Sequence, residues 1–85
     1  MKAFDFKITD PVGIHARNAL FLSKKAGQYK SDIWVFKESC SADAKNLMTV
    51  MAMRVKCGDT VHFTVEGADE EEAYLGIKGF CQGNL

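Results

Sequence analysis

Four segments of the chain carry the alternating or β-branched and aromatic pattern that is typical of β-strands. They are residues 3–9, 33–37, 39–44 and 60–66. The second and third are close enough in the chain to pair as a hairpin. After the first strand, Pro11 and Gly13 predict a break, because proline lacks a backbone N–H and glycine permits unusual dihedral angles. We expect Trp34 to pack on the sheet and His62 to lie on its solvent side.

Three other segments have helical spacing. The first runs from Ala16 to about Ala26, where Ala19, Leu22 and Ala26 share one face and Gly27 is a natural end. The second is short and covers residues 46–53. Asn46 is its expected N-cap and Val50 its expected core residue.

The third helix opens on a run of four acidic residues, 69–72, which we interpret as a capping box with an acidic first turn. It continues towards Phe80. Glycines at 76, 79 and 83 are expected to weaken its far end, because glycine is a poor helix former.

The order of these elements is β-α-β-β-α-β-α. Strands that alternate with helices and include one hairpin predict an α+β fold with a four-stranded antiparallel sheet and three helices on one face. A chain of 85 residues has room for a single core, so residues 1–85 are expected to form one domain.

Composition limits the partners of the chain. Eleven Lys and Arg balance eleven Asp and Glu, so no global basic field would attract nucleic acid. The longest apolar runs are shorter than the roughly 20 residues that a membrane span needs. The first residues lack the apolar region of a signal peptide. We therefore expect a cytoplasmic protein with no membrane insertion.

The three cysteines do not form a recognisable site. Cys40, Cys57 and Cys81 are widely spaced and odd in number, with no CxxC pair. This spacing argues against a disulfide framework or a zinc site and indicates three reduced thiols. The sequence indicates no metal and no cofactor.

His15 is the strongest candidate for chemistry. It lies between the turn at Gly13 and the helix that begins at Ala16. The first N–H groups of a helix have no internal partner and can donate to an anion, and the helix dipole adds partial positive charge there. Arg17 could hold phosphate oxygens with two parallel hydrogen bonds. An imidazole in this position is suited to accept a phosphoryl group, although a single histidine at a helix start is more often a solvent-exposed or capping residue.

The run Gly-Ile-His-Ala-Arg at residues 13–17 resembles the active-centre signature of the histidine phosphocarrier family of the sugar phosphotransferase system, usually called HPr. The likeness covers the whole chain: its length, the order of its elements, and the segments 46–51 and 67–73. The resemblance implies an open-faced β-sandwich and a phosphoryl carrier rather than an enzyme.

The resemblance also implies a relay. His15 would take a phosphoryl group on Nδ1 from enzyme I, which is charged by phosphoenolpyruvate. It would pass the group to a histidine on the IIA domain of a sugar permease. Arg17 would stabilise the phosphohistidine, and the backbone N–H groups of Ala16 and Arg17 would contact its oxygens.

A carrier in such a relay must dock successive partners through one surface, and a monomer is expected. The apolar candidates are Leu20, Leu47, Met48 and Met51, with the cations Lys24 and Lys45 on the rim. Methionine suits this role because its flexible side chain adapts to different partners. The alternative is that Leu47, Val50 and Met51 simply bury against the sheet.

The chain departs from the family pattern at three positions. Asn18 replaces a common proline, which predicts a looser active centre. Asn46 stands where many Gram-positive members have a serine phosphorylated by a dedicated kinase, so that regulatory switch is expected to be absent. Arg54 stands where a small residue is usual and adds positive charge near the docking face.

Two alternatives to a transport carrier stay open at this point. One is a regulatory HPr-like paralogue, in which partner proteins read the phosphorylation state of His15. The other is a small ferredoxin-like ligand-binding domain, although the chain shows no pocket motif that would support it.

Overall fold

The computed structural model describes all residues from Met1 to Leu85. Four strands and three helices follow one another in the predicted order β-α-β-β-α-β-α. They are β1 (Lys2–Lys7), α1 (Ala16–Gly27), β2 (Asp32–Lys37), β3 (Cys40–Asp43), α2 (Leu47–Ala52), β4 (Thr60–Glu66) and α3 (Glu70–Asn84). The predicted α+β class is confirmed.

The four strands form one antiparallel sheet in the order β1-β4-β2-β3. Phe63 on β4 lies opposite both Phe4 on β1 and Val35 on β2, so β4 is a central strand. Val35 in turn lies opposite Ala42 on β3, which confirms the predicted hairpin. The ring centroids of Phe4 and Phe63 are 5.0 Å apart, so the two rings stack across the strand pair.

The two faces of the sheet differ in burial because successive side chains in a strand point to opposite sides. On the face towards the helices, the β2 and β4 side chains are fully buried; they are Ile33, Val35, Val61, Phe63 and Val65. The other face is uncovered, and Trp34 lies there with 41% of its surface exposed. His62 is exposed on the same face, where its Nδ1 contacts Oδ1 of Asp5 on the neighbouring strand at 2.5 Å. The sheet is therefore an open-faced sandwich.

Helix α1 packs through the face that its spacing predicts. Ala19, Leu22 and Ala26 are fully buried, and the helix ends at Gly27. On α2, Val50 is fully buried, also as predicted. Both helices contribute to one core of nineteen buried hydrophobic residues, so the start of α1 is held on a rigid base.

Helix α3 continues to Asn84, past the predicted end at about Phe80 and through the three glycines that are expected to weaken its far end. Burial of Ile77 and Cys81 outweighs the low helix propensity of glycine. A Cβ on Gly76 would lie 2.0 Å from the Tyr29 hydroxyl, so this glycine makes room for a packed ring. After the helix, the Leu85 carbonyl accepts hydrogen bonds from the backbone of Thr9 and Asp10, which ties the chain end to the loop before His15.

The predicted capping role of Asp69 is wrong. Asp69 occupies the N-cap position of α3 but makes no capping hydrogen bond to it. Its carboxylate instead accepts from the backbone N–H of Lys30, and from the N–H and hydroxyl of the buried Ser31. These bonds join the start of α3 to the connection between α1 and β2. They hold the pKa of the Asp69 carboxyl below its ordinary value, with the Ser31 hydroxyl as the largest cause.

Acid is therefore expected to weaken the fold partly through Asp69. Because the ionised carboxylate accepts these bonds, their contribution is present above the ordinary pKa of aspartate and is lost as the pH falls through the lowered pKa. The Asp69→Asn variant should lose more unfolding free energy, relative to the unaltered chain, at about pH 7 than at about pH 2. Urea unfolding at the two pH values measures this difference.

Asp32→Asn is the matched control, because Asp32 is an exposed aspartate whose side chain makes no hydrogen bond or ion pair. Its effect on the unfolding free energy should be small at both pH values. A pH-independent effect of Asp69→Asn would show that the carboxylate contributes shape rather than charge.

Candidate functional site

The loop between β1 and α1 places His15. Gly13 has a φ of 80°, a left-handed conformation that glycine adopts readily. Its N–H donates to the Asp10 carbonyl at 2.9 Å, and the Ile14 N–H donates to the Val55 carbonyl at 3.0 Å. Ile14 is buried in the core. The loop is thus fixed at Gly13 and Ile14, the two residues before the histidine.

His15 is the N-cap residue of α1 and is half-buried. Its ring approaches the backbone N–H of Asn18 in the first turn of the helix, but the geometry falls short of a hydrogen bond. The backbone N–H groups of Ala16 and Arg17 donate to no acceptor in the protein. The structure therefore brings the imidazole together with two free N–H donors at the positive end of a helix dipole, an arrangement that favours an anion.

Asn18, expected from the sequence to loosen the active centre, makes two side-chain hydrogen bonds within this loop. The side chain is buried, with 5% exposure. Its Oδ1 accepts from the His15 N–H at 2.7 Å, and its Nδ2 donates to the Gly13 carbonyl at 3.0 Å. These two bonds link the first turn of α1 to the preceding bend. The expectation considered only how well asparagine and proline suit the start of a helix, and so left these bonds out.

Arg17 is exposed at the rim of the same site. Its guanidinium carbon lies 5.8 Å from the centre of the Phe21 ring, a cation–π contact one helical turn away. It makes no ion pair, so its N–H groups are available to a bound anion. Together with His15 and the end of α3, these side chains line an open pocket of about 300 Å³.

Asp10 also belongs to this site, although no pattern in the sequence singled it out. Its carboxylate Oδ2 lies 3.8 Å from Nε2 of His15. The available signal was the turn itself: an aspartate that begins a turn commonly folds its side chain back onto the backbone two residues later. Such a turn fixes the carboxylate, but the sequence does not show which group the carboxylate faces.

The predicted docking residues lie on α1 and α2, two helices that pack against each other. Met48 is 74% exposed, and Leu20 and Met51 are each 38% exposed. Leu47 is half-buried and packs against the core. Val12, in the loop before His15, is 71% exposed and was not singled out from the sequence.

The charged rim is less regular than predicted. Lys24 is exposed on α1. Lys45 is half-buried, and its ammonium group donates to the Tyr29 carbonyl at 2.9 Å, just beyond the end of α1. Since α1 has twelve residues, this end is about 18 Å from the helix start. The structure thus places Lys45 at the opposite end of α1 from His15.

Arg54 and Asn46 lie at the two ends of α2. Arg54 is exposed just after the helix and has a φ of 54°, which is uncommon for a residue other than glycine. Asn46 is the N-cap, as predicted, and its Oδ1 accepts from the N–H groups of Met48 and Thr49 at 3.0 and 3.2 Å. The asparagine therefore supplies the cap but offers no hydroxyl group.

Two further observations concern the whole chain. No helix has both the length and the apolar character that crossing a bilayer requires. Cys40, Cys57 and Cys81 are all free thiols. Burial raises the pKa of the Cys81 thiol to about 12.

Comparison with known proteins gives a consistent result. Residues 2–82 match the family model described as the PTS HPr component phosphorylation site. The phosphocarrier protein HPr of Mycoplasma genitalium is 36% identical over 85 residues, which cover 99% of this chain and 97% of that protein. The HPr of Lysinibacillus sphaericus is 40% identical over 77 residues, or 91% and 88% of the two chains.

Solved structures agree with the sequence matches. The crystal structure of HPr-C-His from Thermoanaerobacter tengcongensis superposes with a TM-score of 0.92 at 34% identity. The superposition covers 98% of this chain and 93% of that one. The similarity therefore extends over the sheet and all three helices as well as the histidine loop.

Proposed function

The chain belongs to the HPr family of phosphocarrier proteins of the phosphotransferase system, and on that premise we propose that His15 accepts a phosphoryl group from enzyme I and passes it to a IIA domain of a sugar permease. One observation carries the proposal. His15 stands at the start of α1 beside two free backbone N–H groups and a guanidinium without an ion-pair partner.

The chemistry at His15 is a nucleophilic transfer. The lone pair of Nδ1 attacks the phosphorus while the bond to the donor breaks, and the electron pair of that bond stays with the donor. Three phosphoryl oxygens would then lie against the N–H groups of Ala16 and Arg17 and the Arg17 guanidinium. Charge-assisted bonds of this kind are among the stronger hydrogen bonds in proteins. The carrier holds the group and releases it, so it has no turnover of its own.

The docking surface that we propose consists of Leu20, Leu47, Met48 and Met51, with Lys24 on its rim. These residues lie on the two helices next to the His15 loop, and three of them are exposed. An exposed apolar patch rimmed by charge is typical of a protein–protein contact. A monomer presents this surface to enzyme I and to the IIA domain in turn, because each partner must reach the same histidine.

The experiment that tests the proposal uses phosphoenolpyruvate with a labelled phosphoryl group and purified enzyme I. The chain should acquire label that is stable in base and lost in acid, as phosphohistidine is. Adding an unphosphorylated IIA domain should then move the label from the chain to that domain. Absence of label, or label that survives acid treatment, would contradict the proposal.

The second step of this experiment separates the carrier from the regulatory alternative. A regulatory paralogue would acquire label on His15 but keep it in the presence of IIA domains. Asn46 provides no hydroxyl for the serine-dependent form of regulation. The interpretation as a ferredoxin-like ligand-binding domain is wrong, because the chain belongs to a phosphocarrier family over residues 2–82.

A further inference from the structure

The loop before His15 holds Asp10 in a fixed position. The Asp10 N–H donates to the Leu85 carbonyl at 2.8 Å, and the Asp10 carbonyl accepts from the Gly13 N–H at 2.9 Å. One side-chain oxygen, Oδ1, accepts from the Val12 N–H at 2.9 Å. These three bonds leave the second oxygen, Oδ2, as the only free group of the residue.

The free oxygen is directed at His15. Oδ2 lies 3.8 Å from Nε2, while the two side chains are 25% and 35% exposed. This separation is longer than a hydrogen bond. It is short enough for the carboxylate to interact favourably with an N–H dipole, or with a positive charge, on that edge of the ring.

The other charged side chain in the pocket is Arg17, which packs over Phe21. Of the pocket's charged side chains, the carboxylate lies near Nε2 of the imidazole, and the guanidinium is the one suited to an anion.

We propose that Asp10 is a positioning residue for His15, which holds the ring with its proton on Nε2 so that Nδ1 is the nitrogen free to react. The effect of Asp10 on phosphoryl transfer rests on the proposed function, whereas the contact between Asp10 and His15 does not. The hydrogen bond from the Val12 N–H to Oδ1 fixes the carboxylate, and the carboxylate fixed in this way presents Oδ2 to the imidazole.

The consequence for phosphoryl transfer follows from the electron balance. As the Nδ1 lone pair forms the bond to phosphorus, the donor bond breaks and the imidazole, which keeps its Nε2 proton, gains a positive charge. The Asp10 carboxylate stabilises that charge. On release, the Nδ1–phosphorus bond breaks, its electron pair returns to Nδ1, and the ring is again neutral with its proton on Nε2. No proton has to move in either direction.

The test compares Asp10→Asn with Asp10→Ala. An asparagine keeps an Oδ1 acceptor for the Val12 N–H but removes the charge, whereas alanine removes both. Ring-nitrogen NMR on the unphosphorylated chain in alkaline solution measures the ratio of the two neutral tautomers at His15. His62 serves as the internal reference, since it lies on the outer face of the sheet and pairs with Asp5.

We expect the ratio of the Nε2–H to the Nδ1–H tautomer at His15 to fall roughly two- to fivefold in both variants, with His62 unchanged. The kcat for phosphorylation by enzyme I should fall by a similar factor in Asp10→Asn, with KM unaltered. A change in Asp10→Ala alone would show that Asp10 only shapes the turn. Unchanged His15 signals in both variants would also overturn the proposal.

These readouts keep the two hypotheses apart. A shifted tautomer ratio in a chain that enzyme I never phosphorylates would support the positioning role and contradict the proposed function. Normal phosphorylation with an unshifted ratio would support the function and contradict the positioning role.

Discussion

The His15→Ala variant will accept no phosphoryl group from enzyme I, whereas His62→Ala will accept it as the unaltered chain does. His15 alone combines a ring nitrogen with the free N–H groups of α1. His62 lies within β4 and contacts the carboxylate of Asp5. Removing the nucleophile should lower the phosphorylation rate by more than about three orders of magnitude. Incorporation of label from phosphoenolpyruvate measures the rate.

The two histidine variants are matched because neither side chain belongs to the core. Both should keep the circular dichroism spectrum of the unaltered chain, so a loss of labelling reports chemistry rather than unfolding. Acid-labile label on His15→Ala would place the phosphoryl group elsewhere. Loss of label in His62→Ala would implicate the outer face of the sheet in docking.

Local patterns in the sequence predicted the elements, the hairpin and the antiparallel sheet, but not the order of the strands in that sheet. Alternation identifies each strand because the period of a strand is two residues. The order β1-β4-β2-β3 depends on contacts between segments far apart in the chain, such as Phe4 with Phe63. The length of α3 was underestimated for a related reason. Helix propensity is a local quantity, and burial of Ile77 and Cys81 overrides it.

The site was predictable where chemistry and sequence neighbours coincide. His15 and Arg17 are two residues apart, and the helix that begins between them is visible in the sequence. The contact of Arg17 with Phe21 is of the same kind, because residues four apart on a helix lie side by side. Asp10 was not predictable in this way, since it reaches the imidazole only because the loop turns back.

The docking surface shows the same limit from another side. Helical spacing predicted Val50 as the core residue of α2 but left open whether Leu47 and Met51 also bury against the sheet. The structure shows Leu47 packed against the core and Met51 38% exposed. Lys45 was expected on the charged rim of the docking surface. Its ammonium instead binds the Tyr29 carbonyl beyond the far end of α1, a contact between segments that spacing along the chain cannot reveal.

Replacing Gly13 with alanine will destabilise the fold and disturb the His15 loop. An added Cβ would lie 2.3 Å from the Val55 carbonyl oxygen, which also accepts the bond from Ile14. The φ of 80° adds strain for a residue with a side chain. The two effects together should cost roughly 2–5 kcal/mol of unfolding free energy. Urea unfolding measures the loss.

The matched control is Gly58→Ala, because Gly58 has a φ of 93° but no atom within 4 Å of an added Cβ. It should lose only about 1–2 kcal/mol, the cost of the backbone conformation. Gly13→Ala should also accept phosphoryl groups from enzyme I more slowly under conditions in which it is folded, while Gly58→Ala should not. Equal losses of stability in the two variants would mean that the loop yields at Val55, and that the close approach at Gly13 does not hold His15 in place.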